Sequence, residues 1–265
     1  MNTIDHTDRG MGQDTDRGVE AGPDHAPVAA GPHAKDITLK QGFRALVFLG
    51  LYFAVLGGGL LAVGLLRLVD FTATSLILAV LVGATTAAIL ALYVHLIRKY
   101  GLSFRDVGFR RLSPRMFHLL WQVPVAIIAS ACVQGLALAA FGQFGMDTSE
   151  AGASNSPLAA VAGMPAPYML LAIVLAVVLT PLWEEVLFRG ALLSGFLLRF
   201  GPFLAIVLSA AVFASVHLAL LTFPYLFSLG IALALLRRFH RNLWAPVVLH
   251  AVNNGIVAMV ALTAL

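Results

Sequence analysis

Charged residues are scarce in this sequence. Asp, Glu, Lys and Arg make up 11% of its 265 residues, and 60% are hydrophobic. A soluble domain keeps about a quarter of its residues charged, so a chain this apolar cannot hide its side chains in one aqueous core. A bilayer is the solvent it fits, where each span takes ~20 mostly apolar residues. The mean hydropathy of +0.90 agrees. Cysteine is nearly absent: Cys132 stands alone in an apolar run. That excludes an intramolecular disulfide and a cysteine-based zinc site and leaves it a packing role. HExxH, the compact helical zinc signature, is missing. The N-terminus is polar for more than thirty residues, so it does not read as a signal peptide and the first apolar segment must carry insertion. No internal repeat is visible. Gly57, Gly58 and Gly59 have no Lys-Ser/Thr after them to make a phosphate loop, and close helix packing is the better reading.

What charge there is lies unevenly. Residues 1–36 hold seven acids and three bases, a net of −4; residues 37–265 hold six acids and fourteen bases, a net of +8. The bases sit between apolar segments, where membrane topology puts them, so the basic balance does not indicate a nucleic-acid partner. Residues 1–36 are rich in Asp, Gly, Pro, Thr and His; such a segment cannot bury enough surface to offset its chain entropy and is expected to be disordered. Its scattered His6, His25 and His33 lack the clustering of a metal-binding tract.

Seven apolar segments follow, over about 43–66, 71–97, 116–141, 167–199, 202–221, 223–236 and 243–264. The fourth is longer than a bilayer needs, and the sixth is short and begins near Pro224. Lys35, Lys40 and Arg44 precede the first segment. Arg98, Lys99, Arg105, Arg110, Arg111 and Arg115 follow the second, Arg199 ends the fourth, and Arg237, Arg238 and Arg241 follow the sixth. The loop 142–166 has no Lys or Arg. The alternation places the N-terminus and the basic loops in the cytoplasm and the C-terminus outside, with the cell membrane as the expected location. The expected fold is therefore all-α: a polytopic bundle of about seven spans over 37–265, preceded by a disordered cytoplasmic tail.

Two of the six acids beyond residue 36 are adjacent, Glu184 and Glu185, in the run LAIVLAVVLTPLWEEVLFRGALL. A carboxylate deep in a span costs about 2.5–3.5 kcal/mol on insertion scales, so intramembrane acids are functional candidates by default. The bland reading is that Pro181 ends the span and leaves the pair at the interface. Two other segments bring polar groups to similar depth: Phe213 and His217 in one, His250 and Asn254 in the other, each pair at i, i+4 and hence on one helix face. Glu184 and Glu185 lie seventeen and sixteen residues before Gly201, and His217 sixteen after it. At about 1.5 Å per residue, both sides stand ~24 Å along their helices from one turn, so an antiparallel hairpin makes them neighbours. Arg189 is i+4 from Glu185 and i+5 from Glu184, which pairs it with Glu185 and leaves Glu184 free.

EEVLFR (Glu184 to Arg189), FASVH (Phe213 to His217) and HAVNN (His250 to Asn254) resemble, in order and spacing, the EExxxR, FxxxH and HxxxN motifs of the CAAX-protease and bacteriocin-processing (CPBP, or Abi) family of intramembrane endopeptidases. The resemblance covers roughly residues 168–258. It implies proteolysis of a membrane-associated or prenylated protein or peptide within the bilayer. Glu184 would activate a water, His217 would help hold it, His250 and Asn254 would stabilise the oxyanion, and Glu185, Arg189 and Phe213 would support the site. The family is commonly called a metalloprotease, and the chemistry leaves two routes open. Glu184, His217 and His250 can ligate zinc with a position left for water, or the same residues can act as general base and oxyanion hole without metal. A proton- or cation-coupled transporter using the Glu184/Glu185 pair is the rival reading, weakened by the lack of an inverted repeat. A catalytically silent membrane scaffold is a further rival.

Overall fold

In the computed structural model, the described residues are 35–151, 161 and 164–263. The sequence-based expectation of a disordered tail falls on residues 1–36 and so lies almost wholly outside them. Seven helices account for most of the described chain: α1 (Leu39–Leu65), α2 (Ala73–Arg98), α3 (Pro114–Gln143), α4 (Ala166–Arg199), α5 (Pro202–Val216), α6 (Phe223–His240) and α7 (Trp244–Thr263). No strand occurs among the described residues. α1, α2, α3, α4 and α7 are long and apolar enough to cross a membrane, and α5 is a shorter apolar helix.

Local chemistry sets the helix ends. Thr38 caps α1 in a box with Gln41, each side chain taking the other's backbone N–H, which satisfies two donors the first turn would otherwise orphan. Thr72 does the same for the start of α2 by accepting from the Ser75 N–H. Pro202 and Pro224 lie in the first turns of α5 and α6, where a missing N–H costs nothing. Before α1, Asp106 accepts from the backbone N–H of Lys35 (2.7 Å) and from the backbone N–H (2.6 Å) and hydroxyl (2.7 Å) of Ser103. These donors, the Ser103 backbone foremost, hold the Asp106 carboxyl below the usual carboxylate range and tie the entry of α1 to the loop after α2.

α4 is the inner helix. It packs against α1, α2, α5 and α7, while α6 lies between α3, α5 and α7. α4 and α7 bury 39% and 44% of their most apolar stretches, and α1 only 6%, so the motif-bearing helices are enclosed and the outer ones face lipid. Val47, Leu51 and Val55 of α1 and Leu120, Ile128 and Leu136 of α3 are exposed, an outward apolar surface that suits a hydrocarbon solvent. Close approach needs glycine at two places. A Cβ on Gly195 would lie 2.5 Å from Leu39 Cα of α1, and one on Gly230 would lie 3.0 Å from Ala210 Cα of α5.

The ends of α5 and α6 differ from the sequence-based spans, whereas α4 runs the expected length. α5 stops at Val216, short of 221, because its last turn tightens: His217 N–H bonds to Ala214 O (3.4 Å) and Leu218 N–H to Ser215 O (3.2 Å), and Leu218 then takes φ 52°. α6 is a regular helix that continues to His240, past 236, and ends where Arg241 enters the left-handed region (φ 51°). α4 does not end at Pro181. It passes through the proline by a wide, π-helical turn over Leu175–Leu179, so the glutamate pair is inside the bundle rather than past the end of a span.

Candidate active site

The wide turn before Pro181 has a direct consequence. Thr180 N–H bonds to Leu175 O, five residues back. In the same register the next residue would bond to Ala176 O, but Pro181 has no N–H. The Ala176 carbonyl instead accepts from Asn254 Nδ2 of α7 at 3.0 Å. A proline in α4 thus creates the acceptor that holds a motif side chain from another helix. One N–H of the Asn254 amide remains for another partner. The Asn254 side-chain oxygen accepts from Asn253 Nδ2 (3.3 Å), and Asn253 in turn accepts from the Tyr225 hydroxyl of α6.

The two glutamates are held differently. Glu185 is fully buried, and its Oε1 accepts from Arg189 Nη1 at 2.8 Å and faces His250 Nδ1 at 2.9 Å. Arg189, also fully buried, donates its Nη2 to Gly230 O of α6 (3.3 Å). Its guanidinium carbon lies 4.3 Å from the Phe213 ring centre, a cation–π contact in a desolvated setting. Glu184 is buried at 7% exposure, and its Oε2 has no hydrogen-bond partner; it faces His250 Nε2 at 3.7 Å. That separation is too long for a direct hydrogen bond. His250 therefore stands between the carboxylates, with Nδ1 on Glu185 and Nε2 turned to Glu184.

His217 sits at the open end of α5 and is exposed. Its Nδ1 lies 2.7 Å from Phe213 O, the carbonyl one turn back, and a ring nitrogen facing a carbonyl must carry the proton. His217 Nε2 makes none of the hydrogen bonds among the described residues. Phe213 is the hub: its ring meets His217 (4.8 Å between centres), His250 (5.7 Å) and Phe188 (5.2 Å), all edge-on. The fold thus gathers Glu184, Glu185, Arg189, Phe213 and His250 by direct contact, with His217 against the Phe213 ring and Asn254 one turn beyond His250. Among the described residues, no three His, Cys, Asp or Glu side chains form a group that could hold a metal ion. As placed, Glu184, His217 and His250 do not fit zinc.

The sequence reading missed Tyr225, Asn253 and Gln134, and weighed Pro181 only as the end of a span. Gln134 of α3 donates to Leu221 O (2.8 Å) and accepts from Tyr225 N–H (3.1 Å), clamping the α5–α6 turn beside His217. Its signal was an amide in the middle of an apolar helix. The signal of Pro181 was a carbonyl that it had to leave without its usual donor.

No curated protein and no solved structure matches the chain. Residues 165–256, from the start of α4 into α7, match the family model described as type II CAAX prenyl endopeptidase Rce1-like, a match that supports membership of the CAAX-protease family, and five helices of the described chain are long and apolar enough to cross a membrane.

Proposed function

We propose that this chain hydrolyses a peptide bond of a membrane-associated or prenylated protein or peptide, with Glu184 as the base that activates water. The observation that carries this reading is the division of labour in the glutamate pair: Glu185 is committed to Arg189 and His250, whereas Glu184 makes no hydrogen bond and faces a histidine. A buried carboxylate without a partner is poised to take a proton.

Glu184 removes a proton from a water that the His217 Nε2 lone pair also holds. The hydroxide adds to the scissile carbonyl carbon. The oxyanion is held by His250, which donates from Nε2 when the ring carries both protons, and by the second N–H of Asn254. Glu184 then returns its proton to the amine nitrogen as the C–N bond breaks. No step is routed through a metal. A membrane-anchored reporter cleaved by purified protein, with Glu184→Ala as control, tests the reading. His217→Ala and His250→Ala are each expected to lower the rate ~10²–10³-fold with insertion intact, and near-normal turnover removes that histidine from the site. Exhaustive chelation is expected to leave turnover unchanged; loss reversed by zinc would bring the metal into the site.

A transporter built on Glu184 and Glu185 is the weaker reading, because Glu185 is tied to Arg189 and His250 and the matched family is one of endopeptidases. The orientation we propose places the N-terminus in the cytoplasm and the C-terminus outside, on the Lys/Arg distribution. Reporter fusions at residues 36 and 265 are expected to report from opposite sides; the same side for both would refute it.

A further inference from the structure

At the basic end of the bundle, a cavity of about 280 Å³ lies between the last turns of α4 and α6. Arg189, Ser194, Arg237, Arg238 and Arg241 line it, and no Asp or Glu does. Arg189 is spoken for by Glu185 and Gly230, but Arg237, Arg238 and Arg241 take part in none of the ion pairs among the described residues. Arg237 is not a floppy surface group. Its guanidinium packs on Gly108, where an added Cβ would come within 2.3 Å of Nη2, and its Nε is buried without a partner. Beside it, Arg105, Arg110 and Arg111 line a second, wider hollow.

Topology alone needs basic residues at this end of the helices, but it does not need them to converge. Several guanidinium groups facing one space repel each other unless an anion sits among them. Their planar forks match phosphate oxygens bidentately, and Ser194 can add a hydroxyl donor. The position at the ends of spanning helices is the level of lipid headgroups, where basic pockets between helices take anionic lipids. We propose that this cavity is a phosphate-binding site, filled by the phosphate of an anionic lipid headgroup or by a free phosphate. Arg189 forms its inner wall, so an occupant sits one side chain away from Glu185.

Native mass spectrometry of the full chain in detergent tests this, with dioleoyl phosphatidic acid as probe, dioleoyl phosphatidylcholine as comparator and inorganic phosphate as competitor. Arg237→Gln is the direct variant, but its packing on Gly108 makes misfolding a risk. The exposed pair Arg238→Gln/Arg241→Gln avoids that risk. Arg98→Gln/Lys99→Gln removes the same charge outside the cavity. Phosphatidic acid is expected to bind the wild type and the Arg98/Lys99 variant alike and the Arg238/Arg241 variant roughly tenfold more weakly or worse. Displacement by inorganic phosphate would identify a free-phosphate site, and its failure to displace a headgroup site. Equal weakening in both double variants, or equal binding of the two lipids, would overturn the proposal.

Discussion

Glu184→Gln is expected to lower cleavage by about 10²–10⁴-fold without a loss of thermal stability. The amide keeps the size and shape of the carboxylate but cannot take a proton from water. Little structure depends on the charge: Glu184 forms no hydrogen bond, and its one ion-pair contact is the 3.7 Å approach to His250 Nε2. Replacing an unpartnered buried carboxylate with a neutral amide removes a desolvation cost and breaks nothing. Turnover on a membrane-anchored reporter, measured beside thermal melts in detergent, decides it. Retained turnover with a lowered melting temperature would mean that Glu184 is structural and the base lies elsewhere.

The opposite pattern is expected one residue along. Arg189→Ala leaves Glu185 facing only His250, and Glu185→Gln leaves Arg189 a buried charge without a counter-charge, since both side chains are fully enclosed. Breaking a buried pair from one side costs about 3–5 kcal/mol, so both single variants are expected to melt well below the wild type. Replacing the whole pair with apolar residues, as in Glu185→Leu/Arg189→Met, is expected to recover much of that stability, because no orphaned charge remains. Cleavage is not expected to return, because His250 Nδ1 loses the carboxylate that orients its ring. Recovery of both stability and turnover would reduce the pair to packing and take Glu185 out of the positioning of His250.

How far the site was legible depended on how local each signal was. The i, i+4 spacing of Glu185 and Arg189 is a property of one helix, so their 2.8 Å pair could be anticipated from the geometry of a turn. The same holds for Phe213 and His217, where the spacing places a ring nitrogen against a carbonyl one turn back. The role of His250 could not be anticipated in this way. Seen from α7 it was one polar group over Asn254; its position between two glutamates depends on the packing of α7 against the middle of α4. The end of α5 at Val216 was missed because the residues to 221 stay apolar, and hydropathy does not register a left-handed Leu218.

The sequence by itself determined the membrane setting, the number of helices and the candidate residues. Those follow from apolar length, from the placement of scarce charges and from short motif spacings, all of which act within one segment. Only the tertiary structure decided that His250 stands between the two glutamates, because one helix cannot say which neighbour its face will meet. It also decided that the Ala176 carbonyl orphaned by Pro181 anchors Asn254. It brought the arginines of α4 and α6 around one cavity as well. In an apolar solvent, polar groups must find partners inside the protein, and the partners here come from helices far apart in the chain.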